Sequence, residues 1–313
     1  MLIRFTLIYL FAPHIQALLR PLTLRFTKYS VTEAKFLLHL AAGAYSSDPE
    51  KCVLKSLSKE EQWSFQSTVS RKCDVFQNSC LFYILRSDIA QRFIIVFRGT
   101  IKNTQLMVEG WQSLARRKDF FGVGLVNRYF FQALNKLWPN IEPVLKDSTF
   151  KMYGITFTGH SLGGALASLA ATRTVIENLR TGKQIRLVTF GQPRTGDYQF
   201  ALYHNAHISY SFRLINGHDI VPHLPPCSKN KSCNSTAESK SKPCVEKNGF
   251  SYHHGIEIWY PNGMSDAEQY VECLGKPRSE DFNCSDGLKF HMNQYKRCIK
   301  DHRHYFNISV SLR

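Results

Sequence analysis

The sequence contains no run of five or more basic residues, no zinc-finger spacing and no RNA-binding-motif signature. Nucleic acid is therefore not an expected partner, even though 40 Lys and Arg against 24 Asp and Glu leave a net charge of +16. None of the nine cysteines stands in a C-x-x-C pair, which removes zinc-ribbon sites and thioredoxin-like redox chemistry. No apolar stretch reaches the length of a membrane-spanning helix. Internal repeats and interdomain linkers are also absent, so the 313 residues are expected to build one catalytic-sized domain with a sizeable core.

What is present points to the secretory route. Nine cysteines are many for a cytosolic protein of this size and read as disulfides. The candidates are Cys52, Cys73, Cys80, Cys227, Cys233, Cys244, Cys273, Cys284 and Cys298, and the odd number leaves at least one thiol outside any intrachain pair. Asn230, Asn234, Asn283 and Asn307 each open an N-x-S/T glycosylation sequon in the C-terminal part. At the start, Arg4 precedes an apolar run interrupted at Pro13, the pattern of a signal peptide. Its end is placed near Ala17, giving a leader over 1–17 and a mature domain over 18–313. The positive charge should draw that domain toward anionic surfaces such as lipid interfaces, as a peripheral contact.

Along the chain, 31–45 reads as an amphipathic helix capped by Thr32. Aromatic and branched runs at 81–86, 92–98, 151–158, 186–193 and 207–215 read as strands. Helical patterns lie between several of them, notably at 163–180, and FSYHHGIEIWYP reads as an outer strand pair. Strands alternating with helices predict the α/β class, a mostly parallel sheet covered on both faces. Residues 226–250, polar and cysteine-bearing, read as a surface insert.

The chemistry centres on TGHSLGG. Gly159-His160-Ser161-Leu162-Gly163 is a G-x-S-x-G pattern with a strand before it and a small-residue helix after it, the context of a nucleophile elbow. Side chains at Gly159 and Gly163 would collide with the neighbouring strand and helix. The helix start also offers free N–H groups, Leu162 first, to a developing oxyanion. A serine hydroxyl needs a histidine to take its proton and a carboxylate to orient that histidine, in the chain order Ser, acid, His. Asp219 and Asp197 both follow predicted strands. Asp219, in a loop pinned by Val-Pro-His-Leu-Pro-Pro, is the preferred acid, and Asp197 is expected to cap the next helix. For the base, His223, His253, His254, His291, His302 and His304 stay open on composition and spacing alone.

The blocks FIIVFRGT, TFTGHSLGGALASLAA, TFGQPRTGD, NGHDIVPHLPP, YHHGIEIWY and DHRHYF, in this order, resemble the class 3, fungal-type lipases, as does AAGAYS in the entry helix. The resemblance covers roughly residues 31–307, and the cysteine-rich inserts are most similar to secreted nematode members. It implies an α/β-hydrolase fold and hydrolysis of acylglycerol esters, with neither metal nor organic cofactor and no obligate protein partner. It makes His302, opening the H-x-x-Y-F block, the base, with His304 as fallback. It gives His253 or His254 a structural role and adds Thr100 to Leu162 as oxyanion donors. The stretch after Thr100 corresponds to the family's lid, but IKNTQLMVEG is poor in apolar residues and has no tryptophan before Trp111. Such a lid also suits a phospholipase or a short-chain carboxylesterase. The resemblance further implies a Cys52–Cys298 bond. A relative that only binds lipid would have lost Ser, Asp or His; all three are present.

Overall fold

The structure is a computed structural model, described for residues 27–73, 78–100, 116–232, 241–265, 267 and 269–310. The expected leader, the stretch from 101 to 115 matched to a lid, Cys233 and Asn234 lie outside these residues.

Helix α1 (Val31–Gly43) leads into an eight-stranded sheet. It starts at Val31 as expected, but its cap is Ser30 rather than Thr32: the Ser30 hydroxyl accepts the Glu33 N–H at 3.3 Å. The strands are β1 (Ser64–Lys72), β2 (Ser79–Ser87), β3 (Arg92–Phe97), β4 (Gly154–His160), β5 (Ile185–Phe190), β6 (Tyr210–Asn216), β7 (Ile256–Tyr260) and β8 (Val271–Cys273), side by side in chain order. β3 through β7 run parallel. The flanking pairs β1–β2, β2–β3 and β7–β8 are antiparallel. Parallel neighbours need long crossovers, and α2 (Arg128–Leu137), α3 (Leu162–Ile176) and α4 (Tyr198–His207) supply them between β3 and β6. Helix α5 (Tyr295–Arg303) comes last.

Period-two alternation sends each strand's side chains to two cores. From β3, Phe93, Ile95 and Phe97 join a cluster with α2 and α3, while Ile94 and Val96 join one with α1. A sheet covered on both faces explains why these strands read as unbroken apolar runs. The edge strand β1 has no such run, because its residues alternate between exposed and half-buried. This is the α/β-hydrolase type of sheet.

Two expectations are corrected. FSYHHGIEIWYP is not a strand pair: Ser251–Tyr252 pairs with Gly196–Asp197 in a separate four-stranded sheet, whereas β7 joins β6 in the main sheet. Gly255, at φ +72°, turns the chain between them. Among the described residues the disulfides are Cys73–Cys80, Cys227–Cys244 and Cys273–Cys284, and Cys52 and Cys298 are both free. Cys52 is exposed in a short helix packed beside Gly43, while Cys298 is buried on α5 near Asp219 and Asp301, so the two thiols face different surroundings. The Cys227–Cys244 bond closes the polar insert.

Candidate active site

Ser161 sits between β4 and α3 at φ +61° and ψ −127°, a strained setting for a residue with a side chain. Close backbone contact makes that turn possible. A Cβ on Gly159 would lie 2.5 Å from the Gly163 carbonyl and 2.7 Å from the Phe97 oxygen. A Cβ on Gly163 would run into the Phe97 oxygen and come within 2.9 Å of the Arg98 carbonyl carbon. The small residues therefore bring the end of β3 against the start of α3. Gly99 packs against the His160 carbonyl in the same way, and Thr100, half-buried, follows it. Leu162 opens α3, so its N–H has no partner within the helix. Thr100 and Leu162 thus lie on the two segments that meet beside Ser161.

Asp219 follows β6 through a turn that uses Gly217 at φ +49° and closes with Asp219 N–H to the Asn216 carbonyl at 2.9 Å. Its carboxylate accepts the Val221 N–H at 2.9 Å and the Tyr305 hydroxyl at 2.6 Å. His302 lies in the last turn of α5. Its Nδ1 is 2.9 and 3.0 Å from the Asp219 oxygens, and its Nε2 is 3.0 Å from Ser161 Oγ. With Nδ1–H donating to the acid, the neutral ring leaves Nε2 free to accept from the serine. Ser161, Asp219 and His302 are 1%, 0% and 2% exposed, which keeps these charge-assisted contacts out of water.

The other acid and histidines are occupied elsewhere. Asp197 caps α4, taking the Phe200 N–H at 3.0 Å, and also accepts from Leu125 and Gly249. His304 is exposed, with Nδ1 donating to the Lys300 carbonyl at 2.8 Å, so the fallback base is not at the serine. His253 donates to the Pro222 carbonyl at 2.7 Å. His254 lies tilted against His204, His223 lies tilted against Phe290, and His291 is exposed. Burial pushes His223, His253 and His254 well below the usual histidine range, with nearby arginines adding to the effect.

Sequence reasoning passed over three residues around the Ser161–His302–Asp219 contacts. Tyr305, inside the DHRHYF block, bonds the acid; burial and the adjacent carboxylate push its hydroxyl far above the usual tyrosine range. His160, the residue before the serine, lies 2.8 Å through Nε2 from the His302 carbonyl and 2.9 Å through Nδ1 from the Tyr45 hydroxyl. Burial, then His302, hold it well below the usual range. Arg194 grips the acid loop: its guanidinium donates to the His223 and Pro225 carbonyls at 2.8 and 3.3 Å, and its N–H to Leu224. Glu280 and Asp286 neutralise it at 2.7 and 3.0 Å. Among the described residues, two groupings bring three potential metal ligands together, Cys227, Cys244 and Asp286, and Glu257, Cys273 and Cys284. In both, the sulfurs are tied up in disulfides and offer no thiolate. Among the described residues, no helix is long and apolar enough to cross a membrane.

The match to known proteins runs along this same framework. The family model for lipase (class 3) matches residues 94–229, from β3 through the acid loop. Lipase ZK262.3 of Caenorhabditis elegans is 44% identical over 286 residues, covering 90% of this chain and 81% of that protein. The Rhizopus niveus lipase is 29% identical over 72% of this chain, which spans about half, 51%, of the fungal protein's length. In three dimensions, the crystal structure of the lipase from Rhizopus microsporus var. chinensis superposes with a TM-score of 0.67 at 25% identity, covering 90% of this chain and 89% of that one. With the nematode relative matched along four-fifths of its length, the chain belongs to the class 3 lipases, carboxylic ester hydrolases built on the α/β-hydrolase fold.

Proposed function

We propose that this lipase is a secreted triacylglycerol hydrolase working through Ser161, His302 and Asp219, with Thr100 and Leu162 as the oxyanion donors. The observation that carries the reading is the chain of contacts from Ser161 Oγ to His302 Nε2 at 3.0 Å and from His302 Nδ1 to Asp219 at 2.9 Å. Ser161 Oγ attacks the ester carbonyl while its proton passes to His302 Nε2, and Asp219 stabilises the imidazolium. The carbonyl oxygen, now an oxyanion, is held by N–H groups of Thr100 and Leu162. Collapse breaks the ester C–O bond, and the leaving alkoxide takes the proton from His302, giving an acyl-enzyme. Water, deprotonated by His302, attacks the acyl carbon, and the proton returns to Ser161 as the fatty acid leaves.

Three disulfides and the sequons support passage through the secretory route, with a leader over 1–17 removed to leave one hydrolase unit. Asn283 and Asn307 are exposed and available to carry glycans, and Asn230 is half-buried beside the insert disulfide. The +16 charge favours peripheral contact with anionic lipid, which keeps phospholipid ester as the second substrate class.

Fluorophosphonate labelling with peptide mapping tests the nucleophile: the adduct is expected on Ser161 and absent from Ser161→Ala, which should lose at least about 10³-fold in turnover while staying folded. Esterase activity retained by that variant overturns the assignment. Fatty acid release from triolein, phosphatidylglycerol and a soluble short-chain ester then ranks the substrate classes, with triolein expected first.

A further inference from the structure

A helix leaves its last four carbonyls without partners inside it, and those of α5 are Lys300, Asp301, His302 and Arg303. The chain turns extended at His304, so no glycine cap closes the helix. Each of the four carbonyls nevertheless has a donor, and the donors come from different places. The Lys300 carbonyl takes His304 Nδ1 at 2.8 Å, and the Arg303 carbonyl takes the Val310 N–H at 2.8 Å. The Asp301 carbonyl takes Asn216 Nδ2 at 3.1 Å, and that same amide nitrogen reaches the His304 carbonyl at 2.6 Å. The His302 carbonyl takes His160 Nε2 at 2.8 Å.

The last two donors stand next to the other members of the triad. His160 immediately precedes Ser161. Asn216 ends β6, and its own carbonyl accepts the Asp219 N–H that closes the acid turn. We propose that His160 and Asn216 are positioning residues that cap the helix end carrying His302 from outside, tying its backbone to the serine elbow and to the acid turn. This rests on the triad reading above.

The chemistry of each donor fits the role. A carbonyl only accepts, so His160 Nε2 must carry its proton; the ring is buried and neutral, so Nδ1 is left to accept from the Tyr45 hydroxyl at 2.9 Å. Tyr45 in turn takes the Gly99 N–H, which links the segment carrying Thr100 to the same framework. Asn216, 7% exposed, spends both amide hydrogens on carbonyls that bracket His302 in sequence. Registration of the three triad elements is thus carried by backbone carbonyls and does not depend on the Asp219–His302 contact alone.

The test uses the full chain and a soluble ester, p-nitrophenyl butyrate. Asn216→Leu and His160→Phe remove the donors at similar volume. Each is expected to lower kcat about 10- to 100-fold with KM within about twofold, because the base is displaced while the ester site is intact. Fluorophosphonate labelling of the folded fraction should slow in parallel, and His160→Gln, whose amide can still reach the His302 carbonyl, should recover most of the rate. If a variant fails to fold, Asn216→Asp, isosteric and without the amide donors, is measured for the same loss of kcat. Folded donorless variants with the parent kcat and labelling rate overturn the proposal. A parent protein that is folded yet unlabelled at Ser161 overturns the triad reading instead.

Discussion

The two ends of the proposed triad sit in regions held together by different forces. Around Ser161 the work is steric: Gly159 and Gly163 let β3, β4 and α3 touch through their backbones, and Ala165, Leu166 and Ala170 pack α3 onto the sheet. Around Asp219 the work is ionic. Arg194 binds Glu280 through Nε and Nη2 at 2.7 and 2.8 Å and Asp286 at 3.0 Å, all of them buried, while its remaining hydrogens hold the loop from His223 to Pro225. Arg213 holds the His254 and Ser279 carbonyls at 2.7 and 2.8 Å alongside. A nucleophile placed by shape tolerates little added volume. An acid loop placed by buried charge tolerates little loss of a partner.

Removing one partner from the ionic region should have the largest effect. Arg194→Met takes the direct guanidinium partner from both Glu280 and Asp286 in the interior, leaving Lys229 and the more distant Arg213 as the cations nearby, and about 3–5 kcal/mol of stability is expected to go, read by urea unfolding. A change below about 1 kcal/mol would mean that packing, not charge, holds the acid loop. Adding one methyl to the steric region comes next. Gly159→Ala places its Cβ against two backbone segments that have no rotamer to escape into, and a cost toward the upper end of about 1–3 kcal/mol is expected, with activity lost beyond the unfolded fraction. Parent stability in the Gly159→Ala variant would show that the elbow yields more easily than its contacts imply.

The same division explains what could be read in advance. The elbow was legible because steric demands are local: strand, G-x-S-x-G and small-residue helix are contiguous, and so are the apolar runs of β2 to β6. Asp219 could be separated from Asp197 because a helix cap and a proline-pinned loop look different in sequence. The proposed base could not be chosen among six histidines from composition, since what singles out His302 is contact with residues 141 and 83 positions away. Asn216 and His160 were invisible for that reason, lying 85 and 142 positions from their carbonyls. Arg194 is 86 positions from Glu280, and nothing in GQPRTGD announces that its guanidinium is buried. Cysteine pairing failed where it leaned on resemblance: Cys52 and Cys298 are free, and the three bonds formed are short-range, with separations of 7, 17 and 11. The break in FSYHHGIEIWYP is set by which sheet each half meets, which no local pattern records.

The smallest expected effect sharpens the contrast through pH. His204 is buried on α4, where Thr172 lies 2.9 Å from its Nδ1, Ser211 lies 2.9 Å from its Nε2 and the His254 ring lies tilted against it. Burial pushes it down to about 3, with Arg213 and His207 adding to the depression. In the unfolded chain it would titrate near 6.5. A depressed histidine contributes its full stability above the unfolded value, and that stability drains as pH falls from about 6.5 toward the folded value, because only the unfolded state gains the proton. Between pH 7 and pH 5, His204 alone should cost about 2 kcal/mol. Glu257 works in the opposite sense: burial pushes its carboxyl up to about 7, so protonation on acidification relieves a buried charge and offsets a loss of about the size His204 contributes. The net slope therefore mixes both signs, and the informative quantity is a difference. His204→Gln keeps hydrogen-bonding capacity toward Thr172 and Ser211 but cannot take up a proton, so its urea-unfolding free energy should fall less between pH 7 and pH 5 than that of the parent, by about 2 kcal/mol. Equal slopes would mean that His204 is protonated or hydrated in the folded protein, and that its surroundings on α4 are less closed to water than its burial implies.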